Sequence, residues 1–106
     1  MQTQAQVIAV LEDETIVEGD TATLPIVLDA IPGAVWQTEL MSSMPKDVRV
    51  SLFERAGLKC ALLRFPSGQT RRAVEAFEAA RQAANDVSQE SHRVARRASE
   101  RARAEK

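Results

Sequence analysis

After Pro66 the apolar residues change their spacing, and no other feature of the chain limits its fold as much. Ala73, Phe77, Ala80, Ala84, Val87, Ser91, Val94 and Ala98 follow one another at alternating steps of four and three. That spacing is one seam of an α-helix. A helix running from Gly68 to Lys106 would be about 58 Å long, at 1.5 Å per residue. A seven-residue strand reaches only about 23 Å. The helix must therefore overhang any sheet it covers, and the overhang packs on another subunit, bends back or frays. Asn85-Asp86-Val87-Ser88 is the expected bend, because Asp86 or Ser88 can start a second helix.

The residues before Pro66 read as strands. Gln6 to Leu11 is a short apolar run that fits a strand or the end of a helix. Thr21 to Leu28 alternates, with Ala22, Leu24, Ile26 and Leu28 on one face. Pro25 lacks a backbone N–H, which predicts an edge strand or a bulge. Pro32-Gly33 reads as a turn. Val35 to Met41 alternates with Trp36, Thr38 and Leu40 on one side, and so reads as a further strand. Val48, Val50 and Leu52 share a face against Arg49, Ser51 and Phe53. Arg55-Ala56-Gly57 closes a hairpin with Leu58 to Phe65. The pattern of that last strand slips near Leu62-Leu63, which predicts a bulge or burial on both faces.

The expected architecture is therefore α+β. An antiparallel meander of four to five strands (1–66) is covered on one face by a C-terminal helix (67–90), which continues as a basic helical extension (91–106). The second sheet face is expected to be partly apolar through Ile8, Val10, Val27, Val35, Met41, Phe53 and Leu63, a common route to dimers.

A single domain of 106 residues buries roughly two-thirds of its unfolded surface, enough for a core without disulfides or metal. The net charge of −1 gives the whole molecule no electrostatic bias toward a partner. Its distribution is uneven. Residues 1–45 carry seven acids and no base, whereas residues 91–106 carry six bases and two acids. One cysteine, Cys60, excludes an intramolecular disulfide and favours a reducing compartment. The N-terminus has no basic stretch ahead of a long apolar run, and no window holds the ~18 apolar residues of a membrane span. A cytoplasmic protein is expected.

Three groups of residues invite a functional reading. Arg93, Arg97 and Arg101 fall on one line of the tail helix, with Arg96 and Arg103 beside them, and could hold nucleic-acid phosphates. Glu100 and Glu105 interleave with these arginines, however, and no aromatic residue follows Phe77, which favours a solvated or oligomerising face. On that reading the contact seam is Val94, Ala98 and Ala102. The second group is Ser67, Thr70, Arg71 and Arg72, where a helix start, two hydroxyls and two guanidiniums could hold a small anion. The competing role for the two arginines is pairing with Glu75 and Glu78 one turn later.

Catalysis is the third possibility and has the least support. His92 and Cys60 are the lone histidine and cysteine, with nothing to bring them together. They supply too few ligands for a transition metal, and Glu12, Asp13 and Glu14 lack the spacing of a calcium loop. No cofactor and no enzyme activity are expected. The sequence points first to a non-enzymatic protein-interaction or self-assembling module, partnered by itself as a homodimer or by another protein. Nucleic-acid binding and small-anion binding are the alternatives.

Overall fold

The computed structural model describes residues 3–104, and side chains as far as Ser91. In chain order the elements are β1 (Val7–Val10), a 3-10 turn (Glu12–Glu14), β2 (Ile16–Glu18), β3 (Thr21–Leu28), α1 (Ala34–Ser43), β4 (Arg49–Arg55), β5 (Leu58–Pro66) and α2 (Thr70–Ala104). The five strands form one antiparallel sheet in the order β1-β3-β5-β4, with β2 also paired to β3. The order departs from a simple meander at one place. Because α1 intervenes after β3, the chain returns to the sheet at its far edge as β4 and folds back as β5 against β3.

Both helices belong to the layer that covers one sheet face. Ala22, Leu24, Ile26 and Leu28 of β3, Ala61, Leu63 and Phe65 of β5, and Val50 of β4 meet Trp36 and Leu40 of α1 and Ala73, Phe77, Ala80 and Ala84 of α2. Alternation thus places the even residues of β3 and the odd residues of β5 inside, and antiparallel pairing aligns them: Leu24 opposite Leu63, Ala22 opposite Phe65. Val48, just ahead of β4, joins the same core.

α1 corrects the expected strand at Val35 to Met41. Trp36 and Leu40 are four apart, a spacing that fits a strand face and a helix face equally well. Thr38 separates the two cases, since a strand would bury it beside them; it is exposed. The helix was disguised because Val35 and Met41 are also exposed, which blurs its apolar face. Pro32-Gly33 accordingly leads into a helix rather than a hairpin. Gly33 is the N-cap with φ −73°, and its carbonyl accepts the Gln37 N–H at 3.1 Å.

Pro25 sits in an interior strand. It is tolerated because its neighbour changes there from β1, which pairs as far as Ile26, to β2, which pairs from Thr23. The Pro25 carbonyl accepts the Leu11 N–H at 3.0 Å. In an antiparallel strand a residue's N and C=O point the same way, so the missing N–H faces the 3-10 excursion and leaves no ladder bond unmade. The irregularity of the sheet falls instead between Val7 and Ala9 of β1. β5 has no bulge: its pairing with β3 and β4 runs without interruption, and the slip in its pattern reflects burial of both Cys60 and Ala61.

Arg55 pairs with Leu58, so the β4–β5 hairpin closes on Ala56-Gly57. Both residues have positive φ, 52° and 81°. A two-residue turn of this kind matches the twist of the strands, but places an L-residue with a Cβ in the left-handed region at Ala56. Ala56→Gly should therefore raise stability by about 1 kcal/mol, which for a domain this size is a rise of roughly 4–8 °C in Tm. Calorimetry on the two proteins checks this.

α2 is continuous over 35 residues, with no break at Asn85-Asp86-Val87-Ser88. Its length is roughly 52 Å. The long axis of the molecule is 63 Å, and the radius of gyration of 16.4 Å exceeds the ~13 Å of a compact chain of about 100 residues. The excess is the overhang.

Candidate interaction surfaces

Asn85 is not a bend but a clasp. Its Oδ1 accepts the Ala5 N–H at 2.9 Å and the Trp36 Nε1–H at 2.7 Å, while its Nδ2 donates to the Ala5 carbonyl at 3.1 Å. One buried amide thus ties the N-terminal segment, α1 and α2 together. Arg81 supports the same segment. Its Nη1 donates to the Ala5 carbonyl at 2.9 Å, and its Nη2 pairs with Glu78 at 2.8 Å. Asn85 and Arg81 are buried and bonded to the fold itself, although Arg81 Nε has no hydrogen-bond partner.

The helix start is organised differently from expectation. Ser67, whose hydroxyl could cap a helix beginning directly after it, does not cap α2, which begins at Thr70. Pro66-Ser67-Gly68-Gln69 forms a β-turn closed by the Gln69 N–H on the Pro66 carbonyl at 3.3 Å, with Gly68 supplying the positive φ of 84° at the third position. The Gln69 carbonyl accepts the Ala73 N–H and opens the helix. Arg71 pairs with Glu75 at 3.2 Å, but Arg72 reaches across the chain to Asp47, with two bonds of 2.9 and 3.0 Å. Glu78 is taken by Arg81. Ser67, Thr70, Arg71 and Arg72 are therefore near one another, with both guanidiniums engaged by carboxylates. A cleft of about 640 Å³ between the 3-10 turn and α2 is lined by Glu12, Thr15, Thr70, Arg71, Val74 and Glu75.

The hydrogen bond from Arg72, aided by its charge, holds the Asp47 carboxyl below the usual aspartate range despite some desolvation. A depressed folded-state pKa means that the pair contributes above the unfolded value and is lost as pH falls through the folded one. Carboxyl NMR titration should give Asp47 a midpoint below the ordinary value of about 3.9. Arg72→Gln should raise that midpoint.

The expected seam residues Val94, Ala98 and Ala102 lie on the helical backbone of α2, as do Arg93, Arg96, Arg97, Arg101 and Arg103. Their side chains, and that of His92, fall outside those described. Among the described side chains the last buried positions of α2 are Ala84, Asn85 and Ser88; Val87 is 41% exposed. A cleft of about 500 Å³ there is lined by Asp86, Val87, Glu90 and Ser91.

The sheet face away from the helices is open. Thr23, Pro25 and Val27 of β3, Cys60, Leu62 and Arg64 of β5, and Arg49, Ser51 and Phe53 of β4 lie on it, by alternation and pairing. Of the apolar residues expected on this face, Val27 and Phe53 are there, and Ile8 is 64% exposed in the irregular stretch of β1 between Val7 and Ala9. Val10 and Leu63 pack with the core instead, and Val35 and Met41 belong to α1. Cys60 is 8% exposed, with its Sγ 3.9 Å from the Leu58 carbonyl.

Reading the residues singly missed one pair on this face. Arg49 lies directly opposite Arg64, and Arg64 directly opposite Thr23. Counting back from the Ala56-Gly57 turn would have found it. A two-residue loop pairs 55 with 58, and that register places 49 against 64.

Among the described residues no group of three or more His, Cys, Asp or Glu side chains could hold a metal ion, and no helix is long and apolar enough to cross a membrane. Comparison with known protein families, curated proteins and solved structures gives no match.

Proposed function

We propose that this chain is a non-enzymatic protein-interaction module that assembles with itself, as a homodimer, through the second half of α2. The observation that carries this reading is a helix that outruns its own domain. α2 continues to Ala104, whereas the last buried side chain among those described, which end at Ser91, is Ser88. The difference is about 24 Å of helix. A lone helical stretch of that length is marginal in water unless something covers its apolar stripe.

The sequence supplies such a stripe in phase with the buried one. Val87, Ser91, Val94, Ala98 and Ala102 extend the line of Ala73, Phe77, Ala80 and Ala84. Its residues are small, so two such helices can approach closely. The interleaved Arg97, Glu100, Arg101 and Glu105 offer flanking pairs between the two copies.

Sedimentation equilibrium should show a dimer at micromolar concentration. The double variant Val94→Glu/Ala98→Glu should sediment as a monomer with an unchanged core by near-ultraviolet circular dichroism. A native chain that stays monomeric at millimolar concentration overturns the proposal. A steeply salt-dependent affinity for duplex DNA, lost on deletion of residues 91–106, would replace it with nucleic-acid binding.

A further inference from the structure

The geometry points to a second, independent site: Arg49 and Arg64, on the open sheet face, bind a phosphate-type oxyanion carried by a small molecule. Residues directly opposite in an antiparallel pair project from the same face with Cβ atoms about 4.5–5.5 Å apart. The Arg49–Arg64 pair therefore sends two arginine side chains out of the same face at the β4 edge of the sheet. Like charges so placed repel, and a sheet normally separates them or supplies an acid. Here neither happens. Both arginines are exposed, and neither side chain makes a hydrogen bond or an ion pair with the described residues.

The surroundings add positive charge and hydroxyl donors. A cleft of about 430 Å³ is lined by Thr21, Lys46, Asp47, Arg49, Arg64 and Phe65. A second, of about 250 Å³, shares Thr21 and Arg64 and adds Ile16, Glu18 and Thr23. Of the two acids, Asp47 is held by both Nη atoms of Arg72. Glu18 lies two strands away from Arg64, on β2. The cations Lys46, Arg49 and Arg64 are thus in excess over free acids around the two clefts. Two guanidinium forks on neighbouring strands can both donate to the oxygens of one phosphate group, and the Thr23 hydroxyl, on the same row of the sheet, can donate to a third oxygen.

The test uses inorganic phosphate and pyrophosphate, with sodium chloride at matched ionic strength as the reference. Pyrophosphate should raise Tm beyond the chloride control, and amide NMR shifts should move at Thr23, Arg49 and Arg64. Arg49→Glu places a carboxylate opposite Arg64, so this variant should fold and be no less stable than the native chain. Its affinity for pyrophosphate should fall at least about tenfold, the loss of one charge-assisted bond. Arg64→Gln, which removes one of the facing charges, should lose affinity similarly. No pyrophosphate response in the native chain, or an equal response in Arg49→Glu, overturns the site. Duplex DNA bound more tightly than pyrophosphate, and weakened by Arg49→Glu, would overturn the small-molecule assignment in favour of a nucleic-acid backbone.

Discussion

Asn85→Ala is expected to destabilise the protein by about 2–5 kcal/mol, because it strands two buried donors at once. The Ala5 N–H and the Trp36 Nε1–H both rely on Asn85 Oδ1, and both residues are fully buried. Neither has water to turn to. The Ala5 carbonyl loses one donor but keeps Arg81 Nη1. Each orphaned group costs about 1–3 kcal/mol, against a total stability of about 5–15 kcal/mol for a domain of this kind. Urea unfolding of native and variant chains measures the loss as a shift in midpoint at constant slope. The internal control is Gln89→Ala, one turn later, where the Gln4–Gln89 bond is exposed; it should change stability by no more than about 0.5 kcal/mol. Equal effects at positions 85 and 89 would mean that the clasp contributes nothing beyond a surface contact.

The clasp also shows what the sequence withholds. Asn85 opens the stretch that reads as a bend, where short polar side chains compete for nearby backbone groups. That tendency is real, but here the amide bonds to a backbone eighty residues away and the helix runs on. Long-range satisfaction of a polar group leaves no periodic trace. Burial by alternation does leave one. The inner face of β3 and the seam through Phe77 were legible residue by residue, because each repeats the period of its own element, whereas the apolar run Cys60-Ala61-Leu62-Leu63 hid the phase of β5 and put Leu63 on the wrong face. α1 was not, because its buried face consists of two residues whose spacing both periods share.

The candidate surfaces divide in the same way. The overhang could be calculated from residue counts alone, since helix rise and strand length are fixed by backbone geometry. The partner of Arg72 could not. Glu75 and Glu78 are the local candidates, yet the guanidinium takes Asp47, which the turn before β4 brings alongside the start of α2. Arg49 and Arg64 lie between these cases. Their juxtaposition follows from a turn that the sequence displays, but only once the register is counted out from Gly57.

Trp36→Ala should be the most damaging single change, costing about 3–5 kcal/mol from lost burial and cavity formation alone. Trp36 is fully buried in α1, between the sheet and α2. Alanine would also leave Asn85 Oδ1 with one donor instead of two. Trp36→Phe separates the two effects. Most of the ring remains, and the Nε1–H goes. Asn85 keeps its bonds to Ala5, so the cost should stay near 1–2 kcal/mol. Because Trp36 and Asn85 share a bond, their substitutions should not add. The double variant Trp36→Phe/Asn85→Ala should be less destabilised than the sum of the singles by at least about 0.5 kcal/mol. In it, the indole donor that Asn85→Ala would otherwise strand no longer exists. Strict additivity would show that the indole N–H finds another acceptor when Asn85 is lost, and that only the Ala5 contacts hold the clasp. Circular dichroism is the readout for these variants, since Trp36 is the chain's one tryptophan and its fluorescence disappears with it.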